Sequence, residues 1–175
     1  TTAPAPARDE KQVAALNGLA IVAHAQAGSL LGKPEWRARA RRAAERFWSI
    51  AWDERRRRLA HELWRGRAQG EGLLEDYAHV ARGLLAVAAA TGESRWRARA
   101  ESLIDAALKA FTGEDGRLYA SREAVRLPLP LIDTEDYGYP SGTSATIEVL
   151  LALGGELHLA AASRPLQNLS GGIAA

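Results

Sequence analysis

Two kinds of hydrophobic pattern alternate along this 175-residue chain. Some segments are apolar on nearly every side, as helices buried between neighbours are; they read LNGLAIVAHAQA, LLAVAAA and IEVLLAL. Others place apolar residues at spacings of three and four among charges, which is typical of helices with one solvent face; they read WRARARRAAERFW and WRARAESLIDAALKAF. The order of the segments predicts an inner layer of apolar helices wrapped by an outer layer of amphipathic ones.

A repeat relates the first two helix pairs. Trp36 begins the sequence WRARA, and Trp96 begins the same five residues again. Each of these Trp-led helices follows an apolar helix that we predict to end at a glycine, Gly28 or Gly92, because glycine readily adopts the left-handed conformation of helix C-termini. We therefore expect the two tryptophans at equivalent places, each with its ring packed against the preceding inner helix.

Residues 1–175 are predicted to form a single domain of helical hairpins. The hairpins cover approximately residues 9–50, 73–112 and 141–165. Each of the two long connections between them precedes the polar start of an inner helix, so both connections should lie on one rim, where long loops are commonly functional. Within them, RLAHELWRG and GRLYASRE alternate in a way that predicts short β-ribbons. The fold class is all-α, with these ribbons in the loops.

Composition narrows the functional classes. The chain has no Cys and only four scattered His, so we predict no metal site and no cofactor. His61 begins a segment that starts like a zinc-protease motif, but Arg65 stands where the second His would be. No apolar run is long enough for a membrane span and no signal-like start is present, so a cytoplasmic protein is expected. The Arg clusters at 37–46 and 55–58 are nearly balanced by acids, which favours a solvated helix face over nucleic-acid binding.

The segments that carry most of these features also resemble a known family. DEKQVAALNGLAIVAHAQAG, GLLEDYAHVARGLLAVAAATGESRW and PSGTSATIEVLLAL, in this order, resemble the thioredoxin-domain-containing family related to spermatogenesis-associated protein 20. The resemblance implies about the last three hairpins of a six-hairpin, glycosidase-like α/α toroid, similar to that of N-acylglucosamine 2-epimerases. About half of the ring would then be present, without the thioredoxin-like domain. The chain departs from the family at Leu16, which replaces a Trp, and at Thr143, which replaces an Asn.

Polar residues at the heads of the inner helices form the candidate site. In a toroid these heads ring one end of a central cavity, so we expect Asp76 and Tyr77 to line one pocket with Asn17 and Ser144. Carboxylate, phenol, amide and hydroxyl groups suit ligands with many hydroxyls. The predicted substrate-binding residues are Asp9, Lys11, Asn17, Tyr77, Ser141 and Ser144. The alternative is that Asp76 and Ser141 only cap helices and that Tyr77 packs in the core.

Candidate catalytic residues follow from two kinds of sugar chemistry. Glycoside hydrolysis uses two carboxyl groups about 5–9.5 Å apart. The available carboxyl groups are those of Asp9, Glu75, Asp76, Asp133, Glu135 and Asp136. Epimerase-like chemistry instead favours a His that titrates near neutral pH, and His79, three residues after Asp76, is preferred to His24 in its Ala-rich helix. The predicted catalytic residues are Asp76, His79 and Asp136.

The predicted function is a carbohydrate-binding or carbohydrate-processing domain of glycosidase or epimerase type, acting on a small carbohydrate ligand. The alternative is a non-catalytic scaffold whose polar rim docks a partner protein, and whether the domain is an enzyme stays open. Nucleic acid and membrane are not expected as partners. Three hairpins form only an arc, so its apolar edges should be covered by a homodimer or by the missing N-terminal part of the toroid.

Overall fold

The computed structural model describes residues 8–122 and 131–171. Six helices occur within these residues and form three hairpins. The hairpins are α1 (Ala14–Leu30) with α2 (Pro34–Ala51), α3 (Leu74–Thr91) with α4 (Ser94–Phe111), and α5 (Gly142–Leu153) with α6 (Gly155–Gly171). The predicted helical hairpins are therefore confirmed.

Helices α1, α3 and α5 lie side by side as an inner layer, and each outer helix packs against the inner helix of its own hairpin. Helix α3 has inner neighbours on both sides, so Leu84 and Val87 are fully buried in the same core as Ile21 of α1 and Leu150 of α5. Full burial of such a side chain stabilises the fold by about 1.5–3 kcal/mol. Helix α3 is thus the central element, and its N-terminal end is contacted from several directions.

The two predicted glycine helix ends differ in the structure. Helix α3 ends at Gly92, which has a φ of 73°, as predicted. Helix α1 instead runs through Gly28 to Leu30, so the prediction of a helix end at Gly28 is wrong. A Cβ added to Gly28 would lie 2.8 Å from the backbone nitrogen of Arg37 in α2. Close packing of the two helices, rather than a turn, requires the glycine there.

A small antiparallel sheet is formed by the connection between the first two hairpins together with the two residues before α1. Its strands are β1 (Gln12–Val13), β2 (Trp52–Asp53), β3 (Arg58–Trp64) and β4 (Arg67–Glu71), and β3 pairs with the other three. Leu59 and Leu63 of β3 are buried, and His61 lies between them on the same face of the strand. The predicted ribbon RLAHELWRG is confirmed as β3. In GRLYASRE the described residues show one isolated bridge, between Leu118 and Thr112, and Glu123 lies outside them.

The two repeated tryptophans occupy equivalent positions but differ in burial. Trp36 and Trp96 are the third residues of α2 and α4. Trp96 is fully buried, whereas Trp36 is 37% exposed. The guanidinium of Arg99 lies 4.9 Å from the Trp96 ring and 5.1 Å from the ring of Trp48 in α2, and it pairs with Glu45. The described residues include no earlier outer helix to cover Trp36 in the same way.

Apolar side chains stay exposed at both ends of the arc of hairpins. Leu16, Ala23 and Leu30 lie on one exposed face of α1, and Leu157 is exposed on α6. We propose that a second copy of the chain covers these edges, most simply in a two-fold dimer. In a longer chain, further hairpins would cover them instead.

Sedimentation at micromolar concentration is expected to show this self-association. Leu30→Glu should shift the chain towards monomer, because it places a charge on the apolar face of α1. Ala43→Glu, at an exposed position of α2, should leave the association unchanged. A wild-type chain that sediments as a monomer at every concentration would contradict the prediction.

Candidate functional site

Asp76 joins three elements at the head of α3. Its buried carboxylate accepts hydrogen bonds from the backbone N–H groups of Ala15 (3.0 Å) and Leu73 (2.8 Å), and it lies 2.7 Å from Nδ1 of His61 in β3. Burial raises the pKa of Asp76, and the three hydrogen bonds oppose that rise. The carboxylate therefore caps α3 and holds both α1 and β3 against it. This agrees with the alternative in which Asp76 caps a helix.

His61, which in the sequence begins an incomplete zinc-protease motif, contacts Asp76 at the head of α3. Its side chain is 33% exposed, and its Nδ1 is held by Asp76. The hydrogen bond to Asp76 raises the pKa of His61, and the nearby charges of Glu62 and Glu75 add to the effect. Since Nδ1 donates to the carboxylate, Nε2 is the ring atom left for other partners. In the sequence, the period-two pattern of Leu59, His61 and Leu63 indicates that His61 lies on the face of β3 towards α3.

Tyr77 belongs to the hydrophobic core rather than to a pocket. It is buried, its ring meets that of Phe111 edge-on at 5.4 Å, and its hydroxyl accepts the N–H of Leu59 at 2.8 Å. The amide of Asn17 donates to the Val13 carbonyl instead. The predicted pocket of Asp76, Tyr77, Asn17 and Ser144 is therefore wrong, because the first two side chains are sealed where β3 packs over the head of α3.

His79 connects α3 to the segment that leads into α5. Its Nε2 donates to the Pro140 carbonyl at 2.9 Å, and its Nδ1 lies 3.3 Å from the guanidinium of Arg82. Burial lowers the pKa of His79, which favours the neutral ring that this arrangement requires. The ring also meets Tyr139 edge-on at 5.5 Å. With no exposed surface, His79 is placed to position Tyr139 and Pro140 rather than to touch a ligand.

Carboxylates accept hydrogen bonds from backbone N–H groups at the N-terminal end of α5. Ser141 caps the helix by accepting the N–H of Ser144 at 3.1 Å. Asp136 accepts the N–H of Ser141 and Asp133 accepts the N–H of Gly142, each at 2.7 Å. The bond from Ser141 lowers the pKa of Asp136. Asp136, predicted as catalytic, is thus an exposed capping carboxylate, which a helix N-terminus favours.

The heads of α3 and α5 and residues 131–139 enclose a pocket of about 410 Å³, which we call the rim pocket. Three carboxyl groups, two phenols and a hydroxyl are among its lining: those of Glu75, Asp133, Glu135, Tyr137, Tyr139 and Ser141. Of the residues predicted for the site, Ser141 is among those that line it. Asp9 and Lys11 are exposed beside β1, where the Lys11 N–H donates to the Asp9 carboxylate at 3.1 Å.

Glu75 lies in a partly buried, acidic environment in the rim pocket. Partial burial raises its pKa, and the charges of Asp76 and Asp133 raise it further. Gly142 brings the two helix heads together, since an added Cβ would lie 2.9 Å from the Glu75 nitrogen and 3.1 Å from an Asp133 oxygen. A carboxyl group that keeps its proton to higher pH can donate to a ligand oxygen beside a second carboxylate.

A sequence signal for Glu75 was available. Glu75, His79 and Arg82 are spaced by four and three, so they share one face of α3. Tyr137 and Tyr139 had no comparable signal, because they lie in an irregular segment.

Two absences hold for the part of the chain that the structure describes. There, no group of three or more His, Asp or Glu side chains is placed to hold a metal ion. None of the helices there is both long enough and apolar enough to cross a membrane.

Helical hairpins with adjacent inner helices and polar inner-helix heads define the α/α toroid class. A solved D-mannose isomerase shares this fold at a TM-score of 0.70 and 15% identity, over 91% of this chain and 43% of that one. Within this class, the chain is homologous to spermatogenesis-associated protein 20, which confirms the family resemblance. The rat protein is 36% identical over 84% of this chain and 20% of its own length, and the human protein is 34% identical over 87% and 21%. The chain thus spans about a fifth of these curated relatives, and no family model matches it.

Proposed function

We propose that the rim pocket binds a small neutral carbohydrate. The observation that carries this proposal is the convergence of carboxyl, phenol and hydroxyl groups on one pocket of about 410 Å³, from the heads of two inner helices and from the segment 131–139. Pockets of roughly 300–1,000 Å³ hold small-molecule ligands. Sugar hydroxyls donate and accept hydrogen bonds, so acidic acceptors next to phenols and a serine hydroxyl match them.

The charge of the rim pocket selects against anionic sugars. Glu75, Asp133 and Glu135 all line it, so a uronic acid or a sugar phosphate would meet like charge. Tyr139 is partly exposed and offers an aromatic face beside these carboxylates. A neutral sugar can bond to the carboxylates through its hydroxyls while its ring lies against the phenol.

We extend the proposal from carbohydrate binding to carbohydrate processing. Glu75 is the group to donate a proton to a sugar oxygen, because its pKa is raised by burial and by neighbouring acids. Asp133 is the second carboxyl group beside it. Asp76 and His79 help to position Glu75 and Asp133. The hydrogen bonds of Asp76 hold the head of α3, and that of His79 holds the segment before α5.

Titration of glucose and mannose, followed by NMR, tests the binding. We expect saturable shifts of the rim-pocket residues in wild type. Glu75→Gln should lower the affinity about tenfold or more, because hydrogen bonds to charged groups contribute about 1.5–3 kcal/mol. Glu35→Gln, at an exposed position of α2, is the matched control and should bind like wild type. Glucuronic acid should bind more weakly than glucose.

Two outcomes would overturn the proposal. Absence of saturable shifts with any neutral sugar would favour an interaction scaffold instead. An equal loss of affinity in Glu75→Gln and Glu35→Gln would place binding outside the rim pocket.

A further inference from the structure

A second pocket, of about 250 Å³, shares a wall with the rim pocket. Residues 131–135 form this wall: Asp133 and Glu135 line the rim pocket, Thr134 lines the second pocket, and Ile132 lines both. The remaining sides come from the start of α5 and from α6, so we call it the α5–α6 pocket. Its position makes it separate from the carbohydrate site proposed above.

The α5–α6 pocket has an apolar part and a polar part. Leu118, Ile132, Pro165 and Leu169 form the apolar part, in which Leu118 and Pro165 are buried, and the polar part consists of Arg117, Thr134, Thr143 and Asn168. An apolar cavity of about 150 Å³ is enough to hold a benzene molecule, so a single-ring compound fits here.

One polar group in this pocket lacks a partner. Thr143, the second residue of α5, is 3% exposed, and its hydroxyl has no hydrogen-bond partner among the described residues. By contrast, the hydroxyl of Thr146, one turn later, donates to the Gly142 carbonyl at 2.7 Å. A buried hydroxyl without a partner is uncommon, because it has given up its bonds to water. Thr143 is among the residues that line the pocket, so its buried hydroxyl lies at the pocket wall.

The charges around the α5–α6 pocket disfavour an anion. The N-terminal end of α5 already holds the carboxylates of Asp133 and Asp136. Arg117 is a cation of the lining, and it pairs with Asp115 at 3.7 Å on the surface. A second anion beside Thr143 would therefore meet the negative charge of these carboxylates, while Arg117 is already paired.

We propose that the α5–α6 pocket binds a small neutral molecule with a compact apolar body and one oxygen that bonds to the Thr143 hydroxyl. The apolar body lies against Leu118, Ile132 and Leu169. The oxygen gives the Thr143 hydroxyl the partner that it lacks among the described residues. Alcohols, phenols and ketones belong to this class.

Binding of three single-ring probes tests the proposal on the whole chain. Phenol has the oxygen, toluene has nearly the same shape without it, and benzoate carries a charge. The readout is the NMR shift of the methyl groups of Leu118, Ile132 and Leu169. Phenol should bind about three- to tenfold more tightly than toluene, which is the usual range for one added hydrogen bond. Benzoate should bind more weakly than phenol.

Substitutions of two threonines identify the bonding group. Thr143→Val keeps the shape and removes the hydroxyl, so phenol should lose its advantage over toluene while the unfolding midpoint stays the same or rises. Thr146→Val, the matched control, should keep the preference for phenol. Unsaturable shifts with all three probes would mean that the pocket holds only water, and the proposal would fail. A preference for phenol that persists in Thr143→Val, or tightest binding by benzoate, would overturn the ligand class.

Discussion

Replacing Asp76 by Ala is expected to lower the free energy of unfolding by about 3–5 kcal/mol. The change leaves the N–H groups of Ala15 and Leu73 and the imidazole of His61 without their shared acceptor. Each unpaired buried donor costs about 1–3 kcal/mol. Domains of this size are stable by about 5–15 kcal/mol, so a large share of the total stability would be lost.

Urea unfolding followed by circular dichroism measures this loss. Asp136→Ala is the matched control, because Asp136 also accepts a backbone N–H, that of Ser141, but at an exposed helix end. Loss of such a cap costs about 0.5–2 kcal/mol. Equal losses in the two variants would show that Asp76 is not the structural tie described here and would reopen its predicted role in the site.

The fold was predictable from the sequence because its signals are long and periodic. The contrast between apolar and amphipathic segments identifies the inner and outer helices, and the repeat at Trp36 and Trp96 gives the hairpin order. Helix ends were less predictable. Gly28 shows why: a glycine needed for close helix packing looks the same in sequence as one needed for a turn.

The site was predictable only in outline. Polar residues gather at the heads of α3 and α5, and Ser141, one of the residues predicted to bind substrate, lines the rim pocket. Glu75 lines the rim pocket and its neighbour Asp76 does not, because β3 covers one side of the head of α3. The register of β3 determines which of its residues lie over the head of α3. That register depends on pairing between residues far apart in the chain, such as Leu63 and Gln12.

The long connection before α5 shows a further limit of sequence reasoning. Residues 131–139 have no regular structure, so no periodicity relates their side chains to a face. Their placement comes instead from local hydrogen bonds, in which Asp133 and Asp136 cap α5 and the Pro140 carbonyl accepts from His79. These bonds put the two pockets on either side of the same few residues.

A close approach of α1 to α3 gives the second large expected effect, in Gly18→Ala. A Cβ at Gly18 would lie 2.4 Å from the carbonyl carbon and oxygen of His79 and 2.7 Å from the nitrogen of Val80. These are backbone atoms of a helix, so they cannot turn aside as a flexible side chain would. The helices must move apart, and we expect the free energy of unfolding to fall by about 3 kcal/mol, at the upper end of the range for overpacking. The better helix propensity of Ala returns only about 1 kcal/mol.

Gly83→Ala provides the graded comparison for this prediction, measured by the same urea unfolding. It adds a methyl group to the same interface from the α3 side, but that group would lie 3.1 Å from the Gly18 carbonyl oxygen and 3.3 Å from the side chain of Ile21. Shifts of a few tenths of an ångström relieve such contacts, so Gly83→Ala should cost clearly less than Gly18→Ala. Because His79 holds the segment before α5, separation of α1 from α3 in Gly18→Ala should also weaken sugar binding at the rim pocket. Wild-type stability in Gly18→Ala would show that the two helices do not approach this closely in solution.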